Sequence, residues 1–346
     1  MIRVLVVDDS AIVRKILVKE LSCVEGLKIV GSAPDPYIAR DMILQHNPDV
    51  VLLDIEMPRM DGLTFLKKLM KYYPLPVIIL SSITPRGAGL ALDCFQAGAV
   101  DVISKPGSSF SVSGLIPLLV DKIRAAARAN MQVYLQRGTH NHALRTNSDL
   151  TYRKISNKII AIGASTGGTQ AIESVLMQLP ENTPGILIVQ HMPEKFTASF
   201  ACRLDEKCAV RVREARNRES VVPGTALIAP GNYHLLLRRS GARFFVEINQ
   251  GPLICRQRPS ADILFRSVAQ KAGTNAAGVL LTGMGKDGAR GLLLMRQAGA
   301  KTIAQDKDTS VVFGMPQEAI NLGAAESVLP LQSVPKALMD WTASER

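Results

Sequence analysis

A chain of 346 residues, 47% hydrophobic and 21% charged, has room for two domains, each with its own core. It contains no apolar run of the ~18 residues that a membrane span needs, and the opening MIRVLVVDDS reaches two acids too soon for a signal peptide, so membrane insertion and export are excluded and a cytoplasmic protein is expected. The net charge of +11 is uneven: residues 1–125 are nearly balanced, and the excess falls on 126–156 and 157–346.

Short apolar runs at 4–7, 50–53, 77–80 and 100–103, with a weaker one at 28–30, read as strands. Helix-length segments, such as 10–21 and 62–71, separate them. Continuous apolar strands between helices indicate a parallel sheet covered on both faces. Five such units make a doubly wound domain over 1–125. The pattern breaks over 126–156, which is polar and lacks an apolar period, and this stretch reads as an interdomain linker. His140 and His142 are solvated residues of that linker. The alternation resumes in a second α/β domain over 157–346. Its strands are at 159–162, 186–189, 226–229 and 279–281, its helices at 168–179 and 261–272, and 235–237 pairs with 244–248 as a hairpin. The five cysteines are odd in number and form no CxxC, which fits reduced, mostly buried thiols rather than a disulfide frame or a zinc site.

In an open parallel sheet, sites form at the carboxyl ends of the strands. In the first half those ends carry Asp8 and Asp9, then Asp54, then Ser81, then Lys105 followed by Pro106. Clustered carboxylates repel one another unless a hard cation joins them, and Mg²⁺ suits an all-oxygen set. A cation and a lysine can together neutralise an incoming phosphoryl group while one carboxylate acts as nucleophile. This set, with the segment DIEMPRMDG around Pro58 and Gly62, resembles the receiver domain of two-component signalling. The resemblance implies that Asp54 is the phosphoacceptor and that Asp8, Asp9, Asp54 and the backbone carbonyl of Glu56 hold Mg²⁺. It also implies that Ser81 is the switch hydroxyl and that Lys105 contacts the acyl phosphate. Residues 99–101, Ala-Val-Asp, carry no aromatic switch ring.

In the second half the strand ends run into GASTGG at Ser165, QHMP at His191 and TGMGKDG at Asp287. A serine becomes a nucleophile when a base lies within hydrogen-bond reach and a third group fixes that base. Spacing alone leaves other readings open: His191 as a buried structural histidine, Asp287 as a turn residue before Gly288. GASTGG lacks the glycine that a dinucleotide loop needs at position 165, and GMGKDG lacks the P-loop spacing. The segments IGASTGGTQAIE, IVQHMPEKFTASFACRL, APGNYHLLL, RPSADILFRSVA, LLTGMGKDGARG and VVFGMPQEAI resemble the catalytic domain of the chemotaxis protein-glutamate methylesterases. That resemblance implies a catalytic triad of Ser165, His191 and Asp287, an oxyanion donor at the Met284 N–H and a supporting role for Thr166. No cofactor is implied for the ester reaction.

Together the two resemblances imply an α/β protein of two doubly wound domains. The first is a flavodoxin-like receiver, and the second is a Rossmann-like parallel-sheet methylesterase. The implied activity is phosphorylation-activated hydrolysis of glutamate γ-methyl esters, with deamidation of glutamines, on methyl-accepting chemotaxis receptors. A chemotaxis histidine kinase is the implied phosphodonor. The basic segment with Arg203, Lys207, Arg211, Arg213, Arg216 and Arg218 reads as a face for the receptor or the receiver, or as plain solvated surface. A DNA-binding regulator would need a helix-turn-helix in the second half, where strands ending in Ser, His and Asp stand instead. Nucleic acid is therefore not an expected partner.

Overall fold

The computed structural model describes residues 1–82, 84–105, 112–136 and 157–344. The chain forms two compact units, Met1–Leu135 and Gln136–Arg346. Residues 137–156, with His140 and His142, lie outside the described residues, as does Pro106. The described start of the expected linker is helical.

The first unit has five strands: β1 (Ile2–Val7), β2 (Leu27–Ala33), β3 (Val50–Asp54), β4 (Val77–Ser82) and β5 (Asp101–Lys105). Their order is β2-β1-β3-β4-β5 and every pairing is parallel. This is the flavodoxin-like order, with its switch point between β1 and β3. All of β3 is buried, as is the stretch Val4–Val7 of β1, because helices cover both faces. The helices are α1 (Ala11–Ser22), α2 (Pro36–His46), α3 (Gly62–Tyr72), α4 (Pro85–Ala97) and α5 (Val112–Ala126), followed by the short α6 (Met131–Gln136). Ser10, Asp35, Asp61 and Thr84 cap the first four, each side chain accepting from a backbone N–H of the opening turn.

The second unit has a seven-stranded sheet built from β6 (Ile159–Ala164), β7 (Gly185–Gln190), β8 (Arg211–Glu214), β9 (Thr225–Ile228), β12 (Ala276–Leu280), β13 (Lys301–Gln305) and β14 (Ser327–Leu329). Its order is β14-β13-β12-β6-β7-β9-β8, and again every pairing is parallel. Strands β10 (His234–Ser240) and β11 (Arg243–Asn249) form an antiparallel hairpin outside that sheet. The helices are α7 (Gly168–Leu176), α8 (Phe196–Asp205), α9 (Ala261–Ala272), α10 (Ala289–Gln297), α11 (Met315–Asn321) and α12 (Val334–Ala343). Leu264, Phe265 and Val268 of α9 share one core with Leu187 and Val189 of the sheet and with Leu235, Leu237 and Val246 of the hairpin. Full burial of a side chain such as Phe265 contributes roughly 1.5–3 kcal/mol. The hairpin and sheet thus clamp α9, and the N-terminus of α9 is fixed at the carboxyl edge of the sheet. The chain reverses direction at β6, whose neighbours are β7 and β12. A ligand site is expected at that edge.

Candidate functional site

In the first unit the strand-end acids do converge. Oxygen atoms of Asp8, Asp9 and Asp54 lie within 4.8 Å of one another. Lys105 Nζ reaches Asp8 Oδ2 at 2.7 Å and Asp54 Oδ2 at 2.8 Å. Asp8 and Asp54 are buried, while Asp9 and Glu56 are exposed. The Glu56 N–H donates to Asp54 Oδ1. Ser81 is buried at the end of β4, and its hydroxyl donates to the Gly87 carbonyl on α4 at 3.1 Å. Burial pushes the Asp54 carboxyl up to about 6, against the pull of the Lys105 ammonium, with Asp8 adding to the rise. Burial opposes the charge on Lys105, but Asp54 and Asp8 outweigh it and hold that ammonium above its ordinary range. An all-oxygen set of three carboxylates with one of them this reluctant to ionise fits a hard divalent cation, which would bring the Asp54 pKa down.

The Asp54 shift has a consequence for stability. Its pKa in the folded chain, about 6, exceeds the ordinary 3.8, so folding favours the protonated form. The stabilising share is present below pH 4 and is lost as pH rises through 6. Without divalent cation, Asp54→Asn is expected to stabilise the first unit at pH 7.5 by on the order of 2–3 kcal/mol and to change nothing near pH 4. Thermal melts at the two pH values check this, and an equal shift at both would contradict it.

In the second unit Ser165 directly follows β6, His191 directly follows β7 and Asp287 follows β12. Backbone bonds stitch these ends together: Ser165 N–H donates to the Thr282 carbonyl at 3.0 Å, and His191 N–H to the Ala164 carbonyl at 3.1 Å. His191 Nε2 pairs with Asp287 Oδ2 at 2.8 Å, both side chains being 2% exposed. With Nε2–H given to the aspartate, Nδ1 is the unprotonated ring nitrogen, buried and with no hydrogen-bond partner among the described residues. Ser165 itself is 7% exposed.

The loop conformations follow from two glycines. Gly167 has φ +76°, and a Cβ there would stand 2.6 Å from Val311 Cβ, so the turn from Ser165 into α7 admits no larger residue. A Cβ on Gly283 would stand 2.7 Å from Ser165 Cβ, so that glycine lets the 282–285 loop lie directly against the serine. Met284, next in that loop, has an N–H that no acceptor takes among the described residues. Thr166 is buried, and its carbonyl accepts from Thr282 Oγ1 at 3.0 Å.

Asp287 is 2% exposed yet remains ionised. Burial raises its pKa, but the bonds from His191, from Ser260 and from the Ala261 N–H outweigh this and hold it below the usual carboxylate range. Oδ1 accepts from Ser260 Oγ at 2.6 Å and Asp262 N–H at 3.3 Å, and Oδ2 accepts from Ala261 N–H at 2.6 Å as well as from His191. The carboxylate therefore sits on the N-terminus of α9, where the helix dipole favours an anion. Cys255 and Asp262 lie near it, but with all four acceptor directions of Asp287 taken, the three do not form a cation site.

Sequence reasoning missed the supports of this site. Ser260, the cap of α9, bonds Asp287; Gln190 Nε2 donates to the Ser165 carbonyl at 2.9 Å; Gln305 accepts the Thr282 N–H at 2.7 Å. A cap signal, Ser260 before a helical period with Pro259 ahead of it, was the one readable trace. The basic segment is partly neutralised, since Arg213 pairs with Glu219 and Lys207 with Glu173. The cysteines are free, as expected, but Cys23, Cys202 and Cys255 are exposed rather than buried. No helix among the described residues is long and apolar enough to cross a membrane.

A flavodoxin-like unit with a strand-end acid cluster, followed by an α/β unit with Ser, His and Asp at adjacent strand ends, defines the class of a response regulator joined to a hydrolase-type output domain. Residues 4–112 match the model of the response regulator receiver domain, and residues 160–338 match that of the CheB methylesterase. The chain is 56% identical over 336 residues to a protein-glutamate methylesterase/protein-glutamine glutaminase 2 of Syntrophus aciditrophicus, covering 96% of this chain and 97% of the relative. It is 53% identical to a protein-glutamate methylesterase/protein-glutamine glutaminase 4 of Anaeromyxobacter dehalogenans, covering 98% and 94%. The crystal structure of the Thermotoga maritima CheB methylesterase catalytic domain superposes with TM-score 0.53 at 41% identity, covering 54% of this chain and 99% of that one. The chain belongs to the CheB methylesterase family, with a receiver domain at its N-terminal end.

Proposed function

We propose that this chain is a phosphorylation-controlled protein-glutamate methylesterase and protein-glutamine deamidase acting on methyl-accepting chemotaxis receptors. The observation that carries the reading is the buried His191–Asp287 pair at strand ends that backbone bonds tie to the ends flanking Ser165, in a chain of this family. His191 Nδ1 takes the Ser165 hydroxyl proton as Oγ attacks the γ-carbonyl of a glutamate methyl ester. The Met284 N–H donates to the oxyanion, with Thr166 holding the loop. His191 returns the proton to the leaving methoxide, and methanol departs. Water, deprotonated by the same nitrogen, then attacks the acyl-serine and releases glutamate. On a glutamine side chain the same steps release ammonia.

Asp54 is the phosphoacceptor, taking a phosphoryl group from a chemotaxis histidine kinase. Asp8, Asp9, Asp54 and the Glu56 carbonyl would hold Mg²⁺, which supplies neutralisation of the phosphoryl oxygens when bound. Lys105 adds its positive charge, and Ser81 reads the phosphorylated state. The receiver ends near residue 125, a linker runs to about 156 and the esterase domain follows. The protein works in the cytoplasm.

The test is methanol release from membranes carrying methylated chemoreceptors, with ammonia release measured on receptors whose methylation sites are glutamines. Purified chain should liberate both, and no methanol above the membrane-only control would reject the esterase reading.

A further inference from the structure

Asp287 is oriented by Ser260, and Ser260 is itself held by a second buried histidine. His234 opens β10 and is 2% exposed. Its Nδ1 accepts the Ser260 backbone N–H at 3.2 Å, and its Nε2 meets the Pro252 carbonyl at 2.9 Å. A carbonyl only accepts and an amide N–H only donates, so this pair of partners fits one tautomer, with the proton on Nε2. The Pro252 carbonyl is not loose either. Arg258 grips the same segment, donating through Nη1 to the Gly251 carbonyl at 2.8 Å and through Nη2 to Asn232 Oδ1 at 2.7 Å, two residues before His234. From Ser260 the hydroxyl donates to Asp287 Oδ1 at 2.6 Å, and Asp287 Oδ2 accepts from His191.

We infer that His234 is a positioning residue of the ester-hydrolysis site: it fixes the Ser260 backbone, and through the Ser260 hydroxyl it sets the orientation of Asp287 and hence of His191. The inference rests on the esterase reading above. Its physical content is that Ser260 has two jobs. It caps α9, with Oγ also accepting from the Ile263 N–H, and it aims a hydroxyl at a carboxylate whose other oxygen steers the base. A Ser260 released from His234 still caps the helix. Its hydroxyl aims less sharply at Asp287 Oδ1, and a small misplacement of a catalytic group is expensive in rate. Pre-organisation of this kind acts on the turnover step and not on substrate binding.

Two near-isosteric variants separate the two hydrogen bonds of the ring. In His234→Asn the side-chain oxygen stands in for Nδ1, keeping an acceptor for Ser260 and losing the donor to Pro252. In His234→Gln the terminal amide stands in for Nε2, keeping the donor to Pro252 and losing the acceptor. Both are assayed as full chains for methanol release from methylated receptor membranes, as kcat per folded protein and KM, beside the wild type and Ser165→Ala. The expected result is that Gln lowers kcat by about 10-fold or more with KM unchanged, while Asn stays within about 3-fold of wild type. Equal kcat losses in both variants, no loss in either, or a change confined to KM overturns the positioning role. Should one variant not fold, a double-mutant cycle decides. His234→Ala, which removes both ring bonds, should lower kcat in the wild-type background and alter it no further in Ser260→Ala, and an undiminished effect there overturns the role too. If Ser165→Ala releases methanol like the wild type, the esterase reading has failed, a result distinct from any ordering of the His234 variants.

Discussion

Ser165→Ala is expected to lower methanol release from methylated receptors by about 10⁵–10⁶-fold, with His191→Ala equally damaging and the double variant no worse than either. The non-additivity follows from the arrangement. Ser165 without a base is an ordinary alcohol, and His191 without the serine has no proton to take, so the two act as one unit. Asp287→Asn should cost about 10⁴-fold. An amide in that place can present its nitrogen to His191 Nε2, and the ring would then turn its other tautomer outward with a proton on the nitrogen that must be the base. The same variant removes the negative charge that four donors converge on, including the N-terminus of α9. Melting should change little for Ser165→Ala and more for Asp287→Asn, since only the second disturbs a buried, fully bonded group. Steady-state methanol release together with a thermal melt reads both effects. A Ser165→Ala variant within 10-fold of wild type would show that the nucleophile lies elsewhere.

The strands were legible where burial on both faces demands unbroken apolar runs, as at 4–7, 50–53 and 159–162. They were hidden where polar residues belong to the sheet. Strand β13, Lys301–Gln305, looks like loop because Lys301 bridges to Glu326 at its open end and Gln305 is spent on the Thr282 backbone. The edge strands β8 and β14 are short, and β8 alternates Arg-Val-Arg-Glu, the pattern of a strand wet on one side. The candidate site residues were legible for a different reason. Parallel topology puts functional side chains just past strand ends, so Asp54, Ser165, His191 and Asp287 could be found by position. Their supports could not. Ser260, Gln190 and His234 act across 25 or more residues of sequence, and nothing local distinguishes a histidine that holds a serine backbone from one that fills a core.

Acetyl phosphate with Mg²⁺ is expected to raise methanol release by the full chain, and Asp54→Asn to abolish that rise while leaving the basal rate near wild type. Asp54 and Ser165 belong to different compact units, so phosphorylation can act on the esterase only as a coupling free energy between them. Coupling of about 1–3 kcal/mol corresponds to a roughly 5–150-fold change, and the ceiling is set by the active fraction before phosphorylation: a chain already about 10% active can gain no more than about 10-fold. Within the first unit the expected switch is the Ser81 hydroxyl. The Ser81 hydroxyl now donates to the Gly87 carbonyl of α4. A phosphoryl group on Asp54 offers a stronger, charged acceptor to the same proton, and taking it frees that α4 carbonyl. Lys105, already bridging Asp8 and Asp54, is expected to turn its charge to the new oxygens. Ser81→Ala should therefore accept phosphate normally, scored on a phosphate-affinity gel, and yet lose most of the activation. Activation equal to wild type in Asp54→Asn would refute control through this aspartate. Full activation in Ser81→Ala would leave Asp54 in place but remove the hydroxyl from the signal path.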